Sequence, residues 1–158
     1  MTHDTFESAT VYEVFAGGNP RTSFGKIGEA SMQPGHVIRD DNGTLYLAKA
    51  SDKKASGVLY LKNGLAMDTA YTSQDLAEYY PCGFGAIVWV WLLHVSAAIP
   101  IRKGDLAVLS TTDGLVSLFA YTNSTDITDT LMNVVGRVYS YSAGHVTNDL
   151  LVKIILSI

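Results

Sequence analysis

The chain has 158 residues, 47% hydrophobic and 16% charged, with a formal net charge of -4. That suits one domain, too apolar for disorder and too sparsely charged for a helical bundle with wet outer faces. Its 11 Lys and Arg cluster only at Lys53-Lys54 and Arg102-Lys103, which excludes the counterion-release footprint of a nucleic-acid binder; the lone Cys82 excludes an internal disulfide and a cysteine-rich zinc site.

Residues 1–24 read as an extended N-terminal arm. "MTHDTFESAT" is polar and lacks the apolar core of a signal peptide, and "AGGNPRTSFG" (16–25) has the composition of a linker. Within it "TVYEVF" (10–15) alternates like a strand, and Phe6, Tyr12 and Phe15 are its candidate docking side chains; a simply frayed terminus is the alternative reading.

From residue 25 the chain becomes strand after strand. "GKIGEAS" (25–31) is a weak strand. "HVIRD" (36–40) and "TLYLAKA" (44–50) flank Asn42-Gly43, a strong hairpin signal. Pro34-Gly35 marks a bend before that hairpin. "GVLYLK" (57–62) follows the polar loop "SDKKAS", and Asn63-Gly64 is a further turn candidate. "TSQDLAEYY" (72–80) reads as one or two helical turns, with Thr72 or Ser73 as N-cap and acids near the start. "AIVWVWLLHV" (86–95) is the longest apolar run; its unbroken part is too short to span a bilayer and reads as a buried strand. "DLAVLS" (105–110) and "LVSLFAY" (115–121) form a second hairpin around Asp113-Gly114, entered through Lys103-Gly104. "TDITDTLMN" (125–133) is a weak helix candidate, and "VVGRVYSYS" (134–142) and "DLLVKIILSI" (149–158) are the last strands.

Close strands joined by turns predict an all-β fold: a small β-barrel or sandwich-like body of short antiparallel strands over 25–158, with at most one or two short helices. A parallel α/β sheet would need crossover helices that this chain lacks. "PGHVIRDDNGTLYLA" and "KGDLAVLSTTDGLVSL" share a grammar of Gly bend, strand, Gly turn and returning strand. They read as two similar hairpins rather than a true repeat.

Chemistry is sparse. His3, His36, His94 and His145 have no ligand spacing, and no nucleophile elbow or phosphate loop occurs. Asp40-Asp41 and the pair Asp126 and Asp129 suit turns, whose side chains bond nearby backbone. Cys82 in "YYPCGFG" reads as a small buried hydrophobe. No catalytic, cofactor or metal site is therefore expected.

The surface carries more. Trp89 and Trp91 share one face of the 86–95 strand with Ile87 and Leu93, while Val88, Val90 and Leu92 line the other. Both faces are apolar, so a further element or another subunit must cover the second. This makes the chain a candidate oligomer.

The succession "PGHVIRDDNGTLYLAKASDKKASGVLYL", a polar segment, "GFGAIVWVWLL", "IPIRKGDLAVLSTTDGLVSLF", "VVGRVYSYS" and a terminal apolar strand resembles the small capsid decoration, or cement, proteins of tailed bacteriophages and related viruses. It covers about 34 to 158. The resemblance implies a barrel-like body with an N-terminal arm, forming homotrimers on the outside of an icosahedral shell and bridging the major capsid protein, with no cofactor, no nucleic acid and no membrane as partners. The matching residues are Pro34, Gly35, Gly57, Gly104, Asp105, Asp113, Gly114, Gly136 and Arg137; with Asn42 and Gly43 they would set turns and catalyse nothing. Segment 63–85 is longer and richer in tyrosine than the family pattern, so Tyr71, Tyr79 and Tyr80 join Trp89 and Trp91 as candidate interface residues. The alternatives are a ligand- or glycan-binding module using those tyrosines, and an enzyme centred on Cys82 or the acids.

Overall fold

The computed structural model describes residues 22–59, 69–83, 85–93, 101–119, 132–141 and 150–156. The described residues are all-β. Ten strands run in chain order as β1 (Ser23–Ile27), β2 (Val37–Asp41), β3 (Thr44–Leu47), β4 (Gly57–Leu59), β5 (Leu76–Pro81), β6 (Ile87–Leu92), β7 (Leu106–Leu109), β8 (Val116–Leu118), β9 (Val134–Tyr141) and β10 (Leu150–Leu156). The helical content among them is one 3-10 turn, Ala50–Asp52. The strand candidate at 10–15, the turn at Asn63-Gly64 and most of the helix candidate at 125–133 lie outside the described residues; Met132 and Asn133 form a turn.

The strands close into two barrels, one in the order β1-β3-β2-β4-β5 and the other in the order β6-β8-β7-β9-β10. In each, one pairing is parallel, β1 with β3 and β6 with β8, and the other four are antiparallel. Adding five to every strand number of the first barrel gives the second. The echo between the two hairpins therefore marks a repeat of topology, which the reading as two similar hairpins understated. Even the entry bends correspond. Gln33 O accepts from His36 N at 3.1 Å around Gly35 (φ 84), and Arg102 O accepts from Asp105 N at 3.1 Å around Gly104 (φ 94). Both turns place φ > 0 at their third residue, where glycine carries no Cβ penalty.

Segment 72–80 is not helical. Thr72 O accepts from Asp75 N, Gln74 is left-handed at φ 72, and β5 follows. The polar residues read as a helix start are turn residues, and the strand after them is set by pairing with β1 and β4. Tertiary pairing overrides weak local propensity here. Ser23 and Phe24, at the end of the expected arm, already belong to β1.

Two apolar clusters hold the barrels. Ile27, Met32, Ile38, Leu45, Leu59, Tyr71, Ala77 and Tyr79 fill the first barrel. A larger cluster fills the second with Val88, Val90, Leu92, Val138 and Ile154, and extends onto Val37, Ala48, Val58 and Tyr80 of the first. The barrels thus share a core. Alternation along β2 sends Ile38 inward and Val37 toward its neighbour, which is why both faces of such strands are apolar.

Candidate interaction surfaces

Asp40 Oδ1 accepts from Gly43 N at 2.6 Å, and its Oδ2 accepts from the Tyr79 hydroxyl at 2.8 Å. Asn42 (φ 54) and Gly43 (φ 87) form the two-residue loop between β2 and β3, whose mirror-image turn demands positive φ at both positions. Burial, then Asp40, pushes the Tyr79 hydroxyl up to about 12. Asp105 Oδ2 accepts from Arg102 N at 2.8 Å, Gly104 N donates to Val138 O, and Arg137 Nη1 donates to Gly104 O at 3.0 Å, so this bend is clamped to β9. Asp113 is exposed and lies 3.9 Å from Lys49. Cys82 is partly buried against the shared core, and burial pushes its thiol up to about 11, which leaves it protonated at neutral pH and poorly nucleophilic. Among the described residues no group of three or more His, Cys, Asp or Glu could hold a metal ion, and no helix is long and apolar enough to cross a membrane. His3, His94, His145, Asp126 and Asp129 lie outside the described residues.

The junction between barrels is built from backbone. Ala48 N donates to Val37 O at 3.0 Å, as β2–β3 pairing extends one step beyond the strands. The return bond is replaced by the peptide of Gly114: Val37 N donates to Gly114 O at 2.8 Å, and Gly114 N donates to Ala48 O at 2.8 Å. Gly114 is left-handed, and a Cβ on it would lie 2.8 Å from Leu47 and 3.0 Å from the His36 ring. The β7–β8 loop is longer than the two-residue hairpin that Asp113-Gly114 suggests. Ser110 N bonds to Leu115 O around it, and Asp113 is not left-handed. Ala50 N donates to Ser110 O, and Trp91 donates from its backbone to Gly35 O and from Nε1 to Pro34 O. His36 is buried here; its Nδ1 accepts from Gln33 N at 3.1 Å, and burial pulls its imidazole down to about 4.

These contacts place the candidate interface residues. Tyr71, Tyr79 and Tyr80 are buried within the chain, so they are core residues rather than surface anchors. The glycan-binding reading loses its aromatics with them. Trp91 is also buried, and the element that covers its face of β6 is the first barrel. Trp89 alone of these five is partly exposed. Phe6, Tyr12 and Phe15 lie outside the described residues. Gly57 and Gly136 sit where strands pass closely; a Cβ would lie 2.2 Å from Tyr80 O and 2.1 Å from Ile155 O respectively.

Among the described residues, two outer walls carry the large exposed apolar side chains other than Met132. On the first barrel Phe24 and Leu76 are 58% and 67% exposed, with Glu78 opposite Phe24 and Lys26 opposite Leu76. On the second, the outward row Trp89, Lys153 and Ser140 runs across β6, β10 and β9, beside a row of Ile87, Ile155, Arg137 and Leu106. A register shift between Lys153 and Ile154 leaves Tyr139 as an extra, exposed residue of β9. Such a bulge re-aims a side chain. Lys153 Nζ sits 5.0 Å from the Trp89 ring, and Lys103 Nζ 5.0 Å from the Tyr139 ring. Sequence reading noted that Lys153 alone interrupts the apolar 149–158 strand but missed Tyr139, because a bulge leaves no mark in the sequence.

The fold is similar to that of a chain in the structure of the capsid of Myoviridae phage XM1, with a TM-score of 0.51 and 16% identity over 90% of this chain and 88% of that one. No protein-family model and no curated protein matches the sequence. At this identity the likeness is one of fold.

Proposed function

We propose that the protein is a structural component of a phage virion, a decoration or cement protein that binds the outside of an icosahedral shell as a homotrimer and strengthens contacts between major capsid subunits. The observation that carries this reading is the shared fold with a phage capsid chain over 90% of the sequence. The resemblance of residues 34–158 to decoration proteins supports the finer role. In this reading residues 1–24 are an arm and 25–158 the β body, and the protein is made in the host cytoplasm and resides on the virion. A protein that binds the assembled lattice and not free subunits stabilises the lattice by mass action, and a trimer adds avidity without new contacts. This role needs no proton transfer or bond cleavage.

The test uses expanded empty shells of the virus that encodes the protein, heated with and without it. Binding, with a higher rupture temperature, is the expected result. Absence of binding together with an unchanged rupture temperature refutes the proposal.

A further inference from the structure

We infer that two copies of the chain meet face to face through the outer wall of the first barrel, on a two-fold axis lying along the line from Phe24 to Leu76. The inference does not rest on the virion reading, and its failure leaves that reading standing.

Strand register builds the patch. On the antiparallel β1–β5 pair Phe24 stands opposite Glu78, and Lys26 opposite Leu76. The residues that alternate with them, Gly25, Ile27, Ala77 and Tyr79, are buried, so these four side chains share the outer face. They form the corners of a rectangle. Phe24 and Leu76, 58% and 67% exposed, occupy one diagonal, and Lys26 and Glu78 the other. Lys26 is exposed and makes no ion pair among the described residues. Glu78 accepts from the Thr22 hydroxyl, and a carboxylate keeps further acceptor sites. The surrounding charges are committed within the chain. Beyond Lys26 the row continues through Thr44 to Asp41, which pairs with Arg39. Asp75, before Leu76, has a partner of its own, and Glu29 accepts from Leu47 N. Arg21 lies outside the described residues.

This arrangement selects a second copy as its occupant. The barrel is closed, so a partner cannot join as an edge strand and must lie on the face. One cation and one acid balance each other, so a partner of a single charge sign gains from one and is repelled by the other. The same patch turned over is complementary to itself, as an isologous contact requires. Rotation about the apolar diagonal sets Phe24 on Phe24 and Leu76 on Leu76, and brings each Lys26 against the other copy's Glu78. Rotation about the charged diagonal would stack Lys26 on Lys26 and Glu78 on Glu78, so the apolar diagonal is the favoured axis. Opposed residues about 5 Å apart and steps of about 7 Å along a strand then cross the two sets of strands at roughly 70°, near the orthogonal class of sheet packing.

Size sets the strength of the contact. The two apolar side chains expose about 250 Å² per copy, roughly a third of what one partner brings to a standard interface. The pair is therefore weak, and it forms where copies are concentrated.

The test is sedimentation equilibrium of the full chain from about 10 μM to about 1 mM. The native mass should rise with concentration toward twice that of the dilute species, whichever oligomer that species is. Lys26→Glu and Glu78→Lys should each weaken the doubling about tenfold, because each opposes like charges twice across the axis. A one-to-one mixture of the two variants should double again, since every acid at these positions in one then faces a lysine of the other. Each substitution moves the net charge of -4 by two, to -6 and -2, so both variants stay negative and overall attraction does not join them. Should Glu78→Lys fail to fold, Lys26→Glu and Leu76→Ser, both at exposed positions, decide alone, each weakening the doubling. A native mass that does not change with concentration overturns the inference and assigns the patch to a different partner. A mixture that associates no better than its components overturns it too, as does doubling that survives both Lys26→Glu and Leu76→Ser.

Discussion

Gly114→Ala is the sharpest probe of how the two barrels are joined. The substitution keeps a left-handed residue at φ +77, which costs an alanine about 1 kcal/mol. Its Cβ would also stand 2.8 Å from Leu47 Cδ2 and 3.0 Å from His36 Cγ. Leu47 can shift at its tip, but the imidazole is buried and held by Gln33 N. Overpacking of this kind costs about 1–3 kcal/mol. If the loop withdraws instead, the hydrogen bonds to Val37 and Ala48 are lost, at about 1 kcal/mol each. Either route gives a loss of about 2–4 kcal/mol, or roughly 5–15 °C in Tm for a chain of this size. Gly43→Ala is the control: its φ is +87, yet nothing lies within 4 Å of the new Cβ. It shares the backbone strain and the change in unfolded-state entropy, so the difference between the variants reports the junction alone. Thermal melts followed by circular dichroism measure both. Equal losses in Gly114→Ala and Gly43→Ala would refute the argument that the Gly114 peptide bridges the barrels.

The buried His36 makes stability pH-dependent. Its folded pKa of about 4 lies below the unfolded value of 6.5, so the unfolded chain binds more protons between them. Stability is complete above pH 6.5 and falls by about 3 kcal/mol as the pH drops to 4. His36→Asn, which keeps an acceptor for Gln33 N, should flatten that part of a Tm-versus-pH profile. Trp91→Phe removes the donor to Pro34 O and should lower the urea midpoint by an amount worth about 1–2 kcal/mol; Trp89→Phe on the outer wall should cost less than half of that. Gly136→Ala drives a Cβ to 2.1 Å from Ile155 O, a backbone atom that cannot swing aside, and a loss above about 3 kcal/mol should appear in the same melts.

Much of the fold is legible because short elements announce themselves. Asn42-Gly43 between two alternating runs gives the β2–β3 hairpin directly, and β6 is visible in "IVWVWL". Segment 72–80 misleads because Thr72, Ser73 and Asp75 serve equally at a helix start and in a turn; the deciding partners, β1 and β4, are remote in sequence. The duplication is hidden because topology repeats while side chains do not. Glycines keep the common trace: Gly35 and Gly104 at the entry bends, and Gly43 and Gly114 in the loops that follow. The doubly apolar β6 correctly signals a second covering layer. That layer is the other barrel of the same chain, reached through Trp91, and no subunit contact is required at that point. The tyrosines of 63–85 look like surface anchors because tyrosine suits both sites; closure buries Tyr71 and Tyr79 inside the first barrel and the second barrel covers Tyr80, neither of which local pattern encodes.

The Gly114 bridge also bears on the order of events during synthesis. Strands β1 to β5 are complete once residue 81 has emerged, yet the rung between Val37 and Ala48 stays open until residue 114 follows. The first barrel therefore waits on the ribosome with an unpaired donor, an unpaired acceptor and the apolar side chains of Val37, Val58 and Tyr80 uncovered. Contacts this distant in sequence slow folding and lengthen the exposure of such surface. The vulnerable moment of this chain falls between its two halves, while residues 82–114 are still following residue 81 out of the ribosome.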